Sequence, residues 1–113
     1  STRRSTHLDI ISLKASEVKQ FFDNLRNPYQ AILVDCYVPW CTHCRNFQSI
    51  MEILKIRLNE KPILFVRVNC ILEAPEPFEI TGFPSLFLKK NGESFQELET
   101  HDLTDLLKLL NNL

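Results

Sequence analysis

The stretch that decides the fold is Tyr37–Cys44, with the sequence YVPWCTHC. It places Cys41 and Cys44 with two residues between them, where an apolar run gives way to an amphipathic one. We predict that a helix begins here, so that free backbone N–H groups and the helix dipole make Cys41 ionise more easily than a free thiol. Cys44 would lie one turn into the helix, close enough to attack a mixed disulfide formed at Cys41. The pattern is typical of a dithiol that carries out thiol–disulfide exchange.

The residues on either side of this stretch predict a buried strand and a long helix. Ala31–Val34 is apolar without a break, as expected of a central strand covered on both faces. Beyond the cysteines, apolar residues recur at helical spacing up to about Asn59. This stripe consists of Phe47, Ile50, Met51, Leu54 and Leu58.

The N-terminal part of the chain predicts one more strand and one more helix. His7–Ser12 alternates weakly between apolar and polar residues and indicates a short edge strand. Apolar residues at helical spacing predict a helix over Ala15–Arg26, which ends at Asn27-Pro28. Ser1–Thr6 is polar, and we interpret it as a flexible arm or a cloning remnant outside a single domain of residues 7–113.

The second half of the chain predicts two more strand regions and a closing helix. Ile63–Val66 is a second buried strand, and the prolines that follow it leave room for only a short helix before Gly82. Ser85–Lys90 and Glu93–Leu98 flank Asn91-Gly92, the strongest signal for a two-residue hairpin. Leucines at helical spacing after residue 102 predict the last helix. Strands joined by helices imply a parallel portion of the sheet, and the hairpin adds an antiparallel one.

Composition and charge narrow the classes of protein. A chain of 113 residues suits one domain with a real core, and four unevenly spaced cysteines are too few for a disulfide scaffold. The net charge of -1 argues against a nucleic-acid or acidic-lipid partner. No run of about 18 apolar residues occurs, so we expect no membrane insertion. Because the chain starts at Ser1 without a signal segment, we expect a processed chain or a piece of a larger multidomain protein.

Three motifs at suitable distances match one known family. YVPWCTHC at Tyr37–Cys44 is similar to YAPWCGHC, and Val68-Asn69-Cys70 is similar to a Val-Asp-Cys that follows the third strand there. Thr81–Leu86 resembles the segment that carries that family's cis-proline, which makes Pro84 the candidate. From His7 onward the chain thus resembles the thioredoxin superfamily, and within it the catalytic domains of protein disulfide isomerases. The resemblance implies a thioredoxin-like α/β fold with a central mixed sheet and helices on both faces.

The resemblance also implies roles for residues in these motifs. Cys41 is expected to be the nucleophile and Cys44 the resolving thiol. Trp40 would shelter the dithiol and contact substrate, with core packing as the alternative. A cis Phe83–Pro84 bond would present backbone groups beside Cys41 that suit pairing with an extended peptide, and Phe83 would add apolar grip. The alternative for Pro84 is an ordinary trans turn.

Three titratable side chains are predicted to tune the dithiol. His43 can donate to the Cys41 thiolate, which favours the reduced form and makes the disulfide a better oxidant; the alternative is a solvent-exposed histidine of little effect. Asp35 is an acid inside an apolar strand, where burial raises the pKa and prepares the carboxyl to exchange a proton with Cys44. Arg67 resembles the family's lysine partner of that acid, and since it cannot lose its proton it can only bias Asp35. The pair could instead be a purely structural salt bridge.

Zinc binding is the main alternative chemistry, because a CxxC pair also begins many zinc sites. Such a site needs two more ligands, whereas Cys36 and Cys70 are embedded in apolar strands and His7 and His101 lie near the chain ends. We therefore expect no metal and no organic cofactor, only the redox-active disulfide Cys41–Cys44. We expect Cys36 and Cys70 to stay reduced and structural, since a bond between them would lie near the geometric limit for a diagonal pair.

The resulting hypothesis is a protein thiol–disulfide oxidoreductase or isomerase. Its partners would be unfolded or disulfide-containing client proteins, with glutathione or an upstream oxidase or reductase as the exchange partner. By resemblance its location would be the lumen of the endoplasmic reticulum. One rival is a thioredoxin-like disulfide reductase, which Asp35 favours and His43 opposes. A second rival is a client-binding module of a larger chaperone. No residue from Glu97 to His101 matches the mobile arginine of the isomerases.

Overall fold

The computed structural model describes residues 10–26 and 28–113, and these form one five-stranded sheet with three α-helices. A short 3₁₀ turn, Ala15–Glu17, precedes the first helix. The predicted arm at Ser1–Thr6 and the predicted strand start at His7 lie outside the described residues. The elements are β1 (Ile11–Lys14), α1 (Val18–Asn24), β2 (Ala31–Tyr37), α2 (Thr42–Arg57), β3 (Ile63–Asn69), β4 (Ser85–Lys90), β5 (Gln96–Leu98) and α3 (Leu103–Asn111).

The sheet is mixed, as predicted, with β2 at its centre. The strand order is β1-β3-β2-β4-β5. Both β1 and β2 run parallel to β3, whereas β4 is antiparallel to β2 and to β5. The three parallel strands and β5 therefore all end at the same edge of the sheet. This edge carries the dithiol.

Helices cover both faces of the sheet, and the buried residues of β2 accordingly alternate between two apolar cores. Ile32, Val34 and Cys36 face the core that includes α1, together with Phe78 and Phe95. Ala31 and Leu33 face the core that includes α2 and α3. Burial on both sides favours apolar residues at successive positions of a strand, which explains the unbroken AILV run; Asp35, also buried in β2, is the exception. The largest fully buried side chain is Phe65 of β3. None of the helices in the described part of the chain has both the length and the apolar character to cross a membrane.

Several predicted boundaries were wrong. The described first strand, Ile11–Lys14, continues past the predicted end at Ser12, and the helix predicted over Ala15–Arg26 splits into the 3₁₀ turn and α1, which ends at Asn24. The segment between Pro75 and Gly82 forms turns and no helix. Only one backbone bond of helical type closes there, from Phe78 N–H to the Pro75 carbonyl at 3.0 Å, and the prolines lack the donors that would extend it.

The hairpin also differs from the two-residue form that was predicted. Gly92 has a φ of 85° in the turn, a conformation that glycine adopts freely, and Glu93 N–H donates to the Lys90 carbonyl at 2.9 Å. However, pairing between β4 and β5 resumes only at Gln96, opposite Leu88. The reason is Phe95, whose ring packs edge-on against aromatic rings of the α1-side core and draws residues 93–95 out of the ladder.

Candidate active site

The dithiol lies where β2 ends and α2 begins. After Tyr37, residues 38–40 turn the chain, and α2 starts at Thr42. Cys41 is the N-cap residue of α2, and its Sγ accepts a hydrogen bond from the backbone N–H of Cys44 at 3.1 Å. The helix therefore begins where the sequence predicted. The backbone N–H of Cys44, in the first turn of the helix, faces the sulfur, as it would face any acceptor at this position.

The two sulfurs differ in their exposure to solvent. Cys41 is half-buried and reachable from outside, whereas Cys44 is only 1% exposed. Burial, followed by the hydrogen bond with Cys41, raises the pKa of Cys44 to about 12. The Cys44 thiol therefore keeps its proton at neutral pH unless a nearby base removes it. This asymmetry is the one expected of an exposed nucleophile with a hidden resolving thiol.

The loop before β4 closes over the dithiol. The Phe83–Pro84 peptide bond is cis, as the sequence motif predicted. The thiol of Cys41 donates to the Phe83 carbonyl oxygen at 3.7 Å, so backbone and sulfur lie side by side. Phe83 is itself 36% exposed, and its apolar ring is available to a partner.

A groove of about 320 Å³ runs beside the dithiol between α2 and this loop. Its apolar wall includes Ile50 and Phe47, the latter in edge-on contact with the ring of His101 at 5.8 Å between centroids. His43 and His101 both line it, so two imidazoles face the same space. His101, Asn46 and Ile50 were not predicted as site residues. One signal could have found His101: β5 runs parallel to β2, so the loop after β5 arrives at the active-site edge.

Trp40 is the most conspicuous apolar side chain of the site. It is 65% exposed, so core packing does not account for it. Arg45 reaches back from α2 to donate to the Pro39 carbonyl at 3.2 Å, which ties the turn before Cys41 to the helix. The Trp40 ring is thus presented to solvent from an anchored turn.

Behind the dithiol lies a buried ion pair. Asp35 has no solvent exposure, and its Oδ2 accepts from Nε of Arg67 at 3.0 Å, while Oδ1 has no partner. Burial raises the pKa of Asp35 to about 6, against the opposing effect of the Arg67 hydrogen bond and charge. The negative charge of Asp35 also contributes to raising the pKa of Cys44, so the two groups interact electrostatically. The sequence predicted this pairing, and the contact is present.

The remaining two cysteines lie on the other face of the sheet. Cys36 and Cys70 are free, buried thiols in the α1-side core. Their mutual hydrogen bond, with burial, raises the pKa of Cys36. Within residues 10–26 and 28–113, no three histidine, cysteine or acidic side chains come together as a metal site.

The comparisons with known proteins agree with this geometry. The sequence model of the Thioredoxin family matches residues 12–112. The probable protein disulfide-isomerase A4 of Caenorhabditis elegans is 27% identical over 96 residues, which are 79% of this chain and 16% of that protein. Human protein disulfide-isomerase A4 is 30% identical over 81 residues, 68% of this chain and 13% of that protein.

Among solved structures, the oxidised form of mitochondrial thioredoxin 3 from Saccharomyces cerevisiae superposes with a TM-score of 0.70 at 22% identity, covering 96% of this chain and 100% of that one. The chain spans less than a fifth of the length of the two isomerases, which are larger proteins that contain a domain like this one. The family match over nearly the whole chain, the fold and the position of the CxxC pair lead to one conclusion. The chain belongs to the thioredoxin family.

Proposed function

We propose that this chain is a protein thiol–disulfide oxidoreductase of the disulfide-isomerase kind. The observation that carries the proposal is the asymmetry of the dithiol: Cys41 caps α2 and is reachable, whereas Cys44 is 1% exposed and holds its proton tightly. A reactive sulfur must be accessible to a client, and a resolving sulfur must act only after the client has bound.

The oxidising reaction proceeds in two exchanges. A client thiolate attacks Sγ of Cys41 in the Cys41–Cys44 disulfide; the bond between the two protein sulfurs breaks, and Cys44 leaves as a thiolate that takes up a proton. A second client thiolate then attacks the client sulfur of the mixed disulfide, and Cys41 leaves as a thiolate. The client gains a disulfide and the protein becomes a dithiol. Reduction runs the same steps backwards, and isomerisation uses Cys41 alone, with Cys44 releasing stalled intermediates.

Asp35 is the proposed proton acceptor and donor for Cys44. With a pKa of about 6, the carboxylate is mostly ionised at neutral pH, yet it binds a proton more readily than an exposed aspartate. Its unpartnered Oδ1 is the oxygen available for this exchange. Arg67 holds the other oxygen and cannot itself supply or accept the proton.

Client binding is assigned to the surface around Cys41. An extended client segment would pair with the backbone at Phe83–Pro84, while the apolar groove and the exposed ring of Trp40 contact its side chains. His43, on the groove wall, is proposed to donate a hydrogen bond to the Cys41 sulfur. These contacts select for unfolded chains, whose apolar side chains are exposed.

The family relationship extends the proposal to partners and location. Since related domains are segments of larger disulfide isomerases, this chain is proposed to act within a multidomain protein of the endoplasmic reticulum lumen. Its exchange partners would be glutathione or an upstream oxidase or reductase. The Cys41–Cys44 disulfide itself accepts two electrons from the client thiols, and the dithiol returns them to the exchange partner, so the proposed reaction requires no metal or organic cofactor.

Cysteine replacement tests the proposal directly. In refolding of scrambled ribonuclease, Cys41→Ser should reduce the rate to the uncatalysed value, while Cys44→Ser should accumulate mixed disulfides between Cys41 and client. Cys36→Ala is the matched control, since that thiol is buried on the opposite face of the sheet. Catalysis that survives in Cys41→Ser would overturn the assignment. Client binding that is unchanged in the Cys41→Ser/Cys44→Ser double variant, together with no measurable catalysis by the native chain, would favour a client-binding module.

A second candidate is a thioredoxin-like disulfide reductase, which the aspartate at position 35 favours over an isomerase's usual glutamate. The reduction potential separates the two. Thioredoxin has a reduction potential of about −270 mV and protein disulfide isomerase of about −180 mV, a difference of about 4 kcal/mol for a two-electron couple. A glutathione titration that gives a value near the isomerase supports the proposal, and a thioredoxin-like value supports the reductase.

A further inference from the structure

Tyr37 extends the buried ion pair into a stack of three groups. The guanidinium carbon of Arg67 lies 3.9 Å from the centroid of the Tyr37 ring. Its Nε also donates to Oδ2 of Asp35 at 3.0 Å. Asp35 and Tyr37 are two residues apart on β2 and so face the same side of the sheet, and Arg67 of β3 pairs in register with Asp35. The ring therefore lies between the ion pair and the edge of the sheet that carries the dithiol.

The position of the ring matters because the Arg67 side chain has an alternative conformation, in which its guanidinium would face solvent. Its side chain is 11% exposed, whereas Asp35 is fully buried, so the long side chain could turn its charged head toward water. A guanidinium is planar and weakly hydrated, and it stacks on an aromatic face while its edge donates hydrogen bonds. The Tyr37 ring offers such a face, with the Nε edge directed at the carboxylate.

The other groups around Asp35 cannot replace this cation. Across β4 its register partner is Leu86, and on the same side of the sheet α3 contributes Leu106, both apolar. The titratable neighbours are thiols: Cys44 of α2 on the same side, and Cys36 and Cys70, whose pKa values Asp35 also influences. A thiol offers no positive charge. The hydrogen bond from Arg67 is therefore the stabilising contact that the ionised carboxylate has within the described residues.

We propose that Tyr37 is a positioning residue for the exchange reaction: its ring holds the Arg67 guanidinium against Oδ2 of Asp35 and leaves Oδ1 to exchange a proton with Cys44. The inference rests on the proposed function and adds a residue to it. Without the ring, Arg67 turns to solvent and the buried carboxylate loses its counter-charge. Asp35 then stays protonated up to a higher pH and no longer accepts the Cys44 proton under neutral conditions.

The test follows the resolution step in isolation. Cys41 is converted to its mixed disulfide with glutathione, and release of glutathione is measured from pH 5 to 9. In this step Cys44 gives its proton to Asp35 and attacks Sγ of Cys41; the Cys41–glutathione bond breaks, and the Cys41–Cys44 bond forms. In parallel, ¹³C NMR follows the carboxyl carbon of Asp35 in the reduced protein, with Asp35→Asn identifying the signal. The variants are Tyr37→Leu and Tyr37→Phe, with Tyr29→Leu as the control for loss of a half-buried tyrosine elsewhere.

We expect the titration midpoint of Asp35 to depend on the presence of an aromatic ring at position 37. In Tyr37→Leu the Asp35 midpoint should rise by about one pH unit or more, since a neighbouring arginine typically lowers an aspartate pKa by about one to three units. Glutathione release should then fall about threefold at pH 6.5 and recover above pH 8, because the ionised fraction of Asp35 limits the step. Tyr37→Phe should restore both values, and Tyr29→Leu should leave both unchanged. If Tyr37→Leu does not fold, Tyr37→Met fills more of the space and carries the same expectation.

Every other outcome contradicts either the positioning role of Tyr37 or the role of Asp35 as proton acceptor. An unchanged midpoint in Tyr37→Leu, or an equal shift in Tyr29→Leu, overturns the positioning role while the proposed function stands. A Tyr37→Phe variant that behaves like Tyr37→Leu assigns the effect to the hydroxyl and overturns the role of the ring. If Asp35→Asn leaves the pH profile of glutathione release unchanged, Asp35 is not the proton acceptor, and the positioning role fails with it.

Discussion

The thiol of Cys41 and the carbonyl oxygen of Phe83 are 3.7 Å apart, although 42 residues separate them in the chain. One belongs to the cap of α2 and the other to the loop that enters β4. Because β2 and β4 are antiparallel neighbours, the end of the first strand and the start of the second meet at the same edge of the sheet. A sulfur and a backbone carbonyl are thereby placed where we expect one client segment to contact both.

The exposure of the four cysteines predicts selective alkylation. With one equivalent of iodoacetamide at pH 7, the reduced protein should be modified at Cys41 and not at the three buried thiols, Cys36, Cys44 and Cys70. Peptide mass mapping measures the site of modification. Unfolding in guanidinium should make all four reactive. Modification of Cys44 before Cys41 in the folded protein would contradict the assigned roles.

Replacement of Phe83 is predicted to slow exchange with client proteins but not exchange with small-molecule disulfides. Phe83→Ala removes an apolar ring that a client would cover, at a cost of about 1 kcal/mol, which corresponds to about a fivefold slower exchange with an unfolded protein. Exchange with glutathione disulfide should be unchanged, because it needs only Cys41 and Cys44. Both rates are measured by stopped-flow fluorescence of Trp40.

The matched control for this prediction is Ile56→Ala, which removes a similarly exposed apolar side chain near the far end of α2. It should alter neither rate. A Phe83→Ala variant that slows both substrates equally would indicate damage to the dithiol and not the loss of a client contact.

Asp35 predicts that stability depends on pH. Its folded-state pKa of about 6 lies above the ordinary 3.8, so the folded protein binds this proton more tightly than the unfolded chain does. The contribution of Asp35 to stability is therefore greatest below about pH 4 and is lost as the pH rises through 6, a loss of about 3 kcal/mol. Asp35→Asn should raise the free energy of unfolding of the reduced protein at pH 7.5 by about 1 to 3 kcal/mol and change it little at pH 4.

Denaturant unfolding of the reduced protein at the two pH values measures this effect. Lys19→Met at an exposed ion pair of α1 serves as a control, since a surface pair contributes little at either pH. A destabilised Asp35→Asn variant at pH 7.5 would show that the ion pair with Arg67 outweighs the burial of the charge.

The cap of α3 predicts a smaller effect on stability. Asp102 accepts from the backbone N–H of Asp105 at 3.1 Å and fixes the start of the helix directly after His101. Asp102→Ala should lower the free energy of unfolding by about 1 kcal/mol, whereas Asp102→Asn, which also caps well, should cost less. Thermal unfolding measures both. A loss of equal size in the two variants would assign the effect to charge and not to capping.

The sequence alone was sufficient for the fold class and for the residues of the dithiol. The unbroken AILV run required a strand covered on both faces, and the apolar stripe that begins at Phe47 required a helix directly after the cysteines. Both signals are local, because they depend on the period of the backbone. Boundaries set by distant contacts were missed. Phe95 leaves the hairpin ladder to reach rings on α1 and near β4, and nothing in its neighbouring residues indicates this.

The sequence by itself therefore singled out the two thiols that are proposed to react, since only Cys41 and Cys44 combine the CxxC spacing with a strand-to-helix junction. The tertiary structure decided how these atoms are tuned. The approach of the Phe83 carbonyl, the groove that His101 shares with His43, and the Tyr37 ring beside Arg67 all join segments from different strands and loops. Their proximity in space follows from strand order and register, which arise when the whole sheet assembles and which no local pattern encodes.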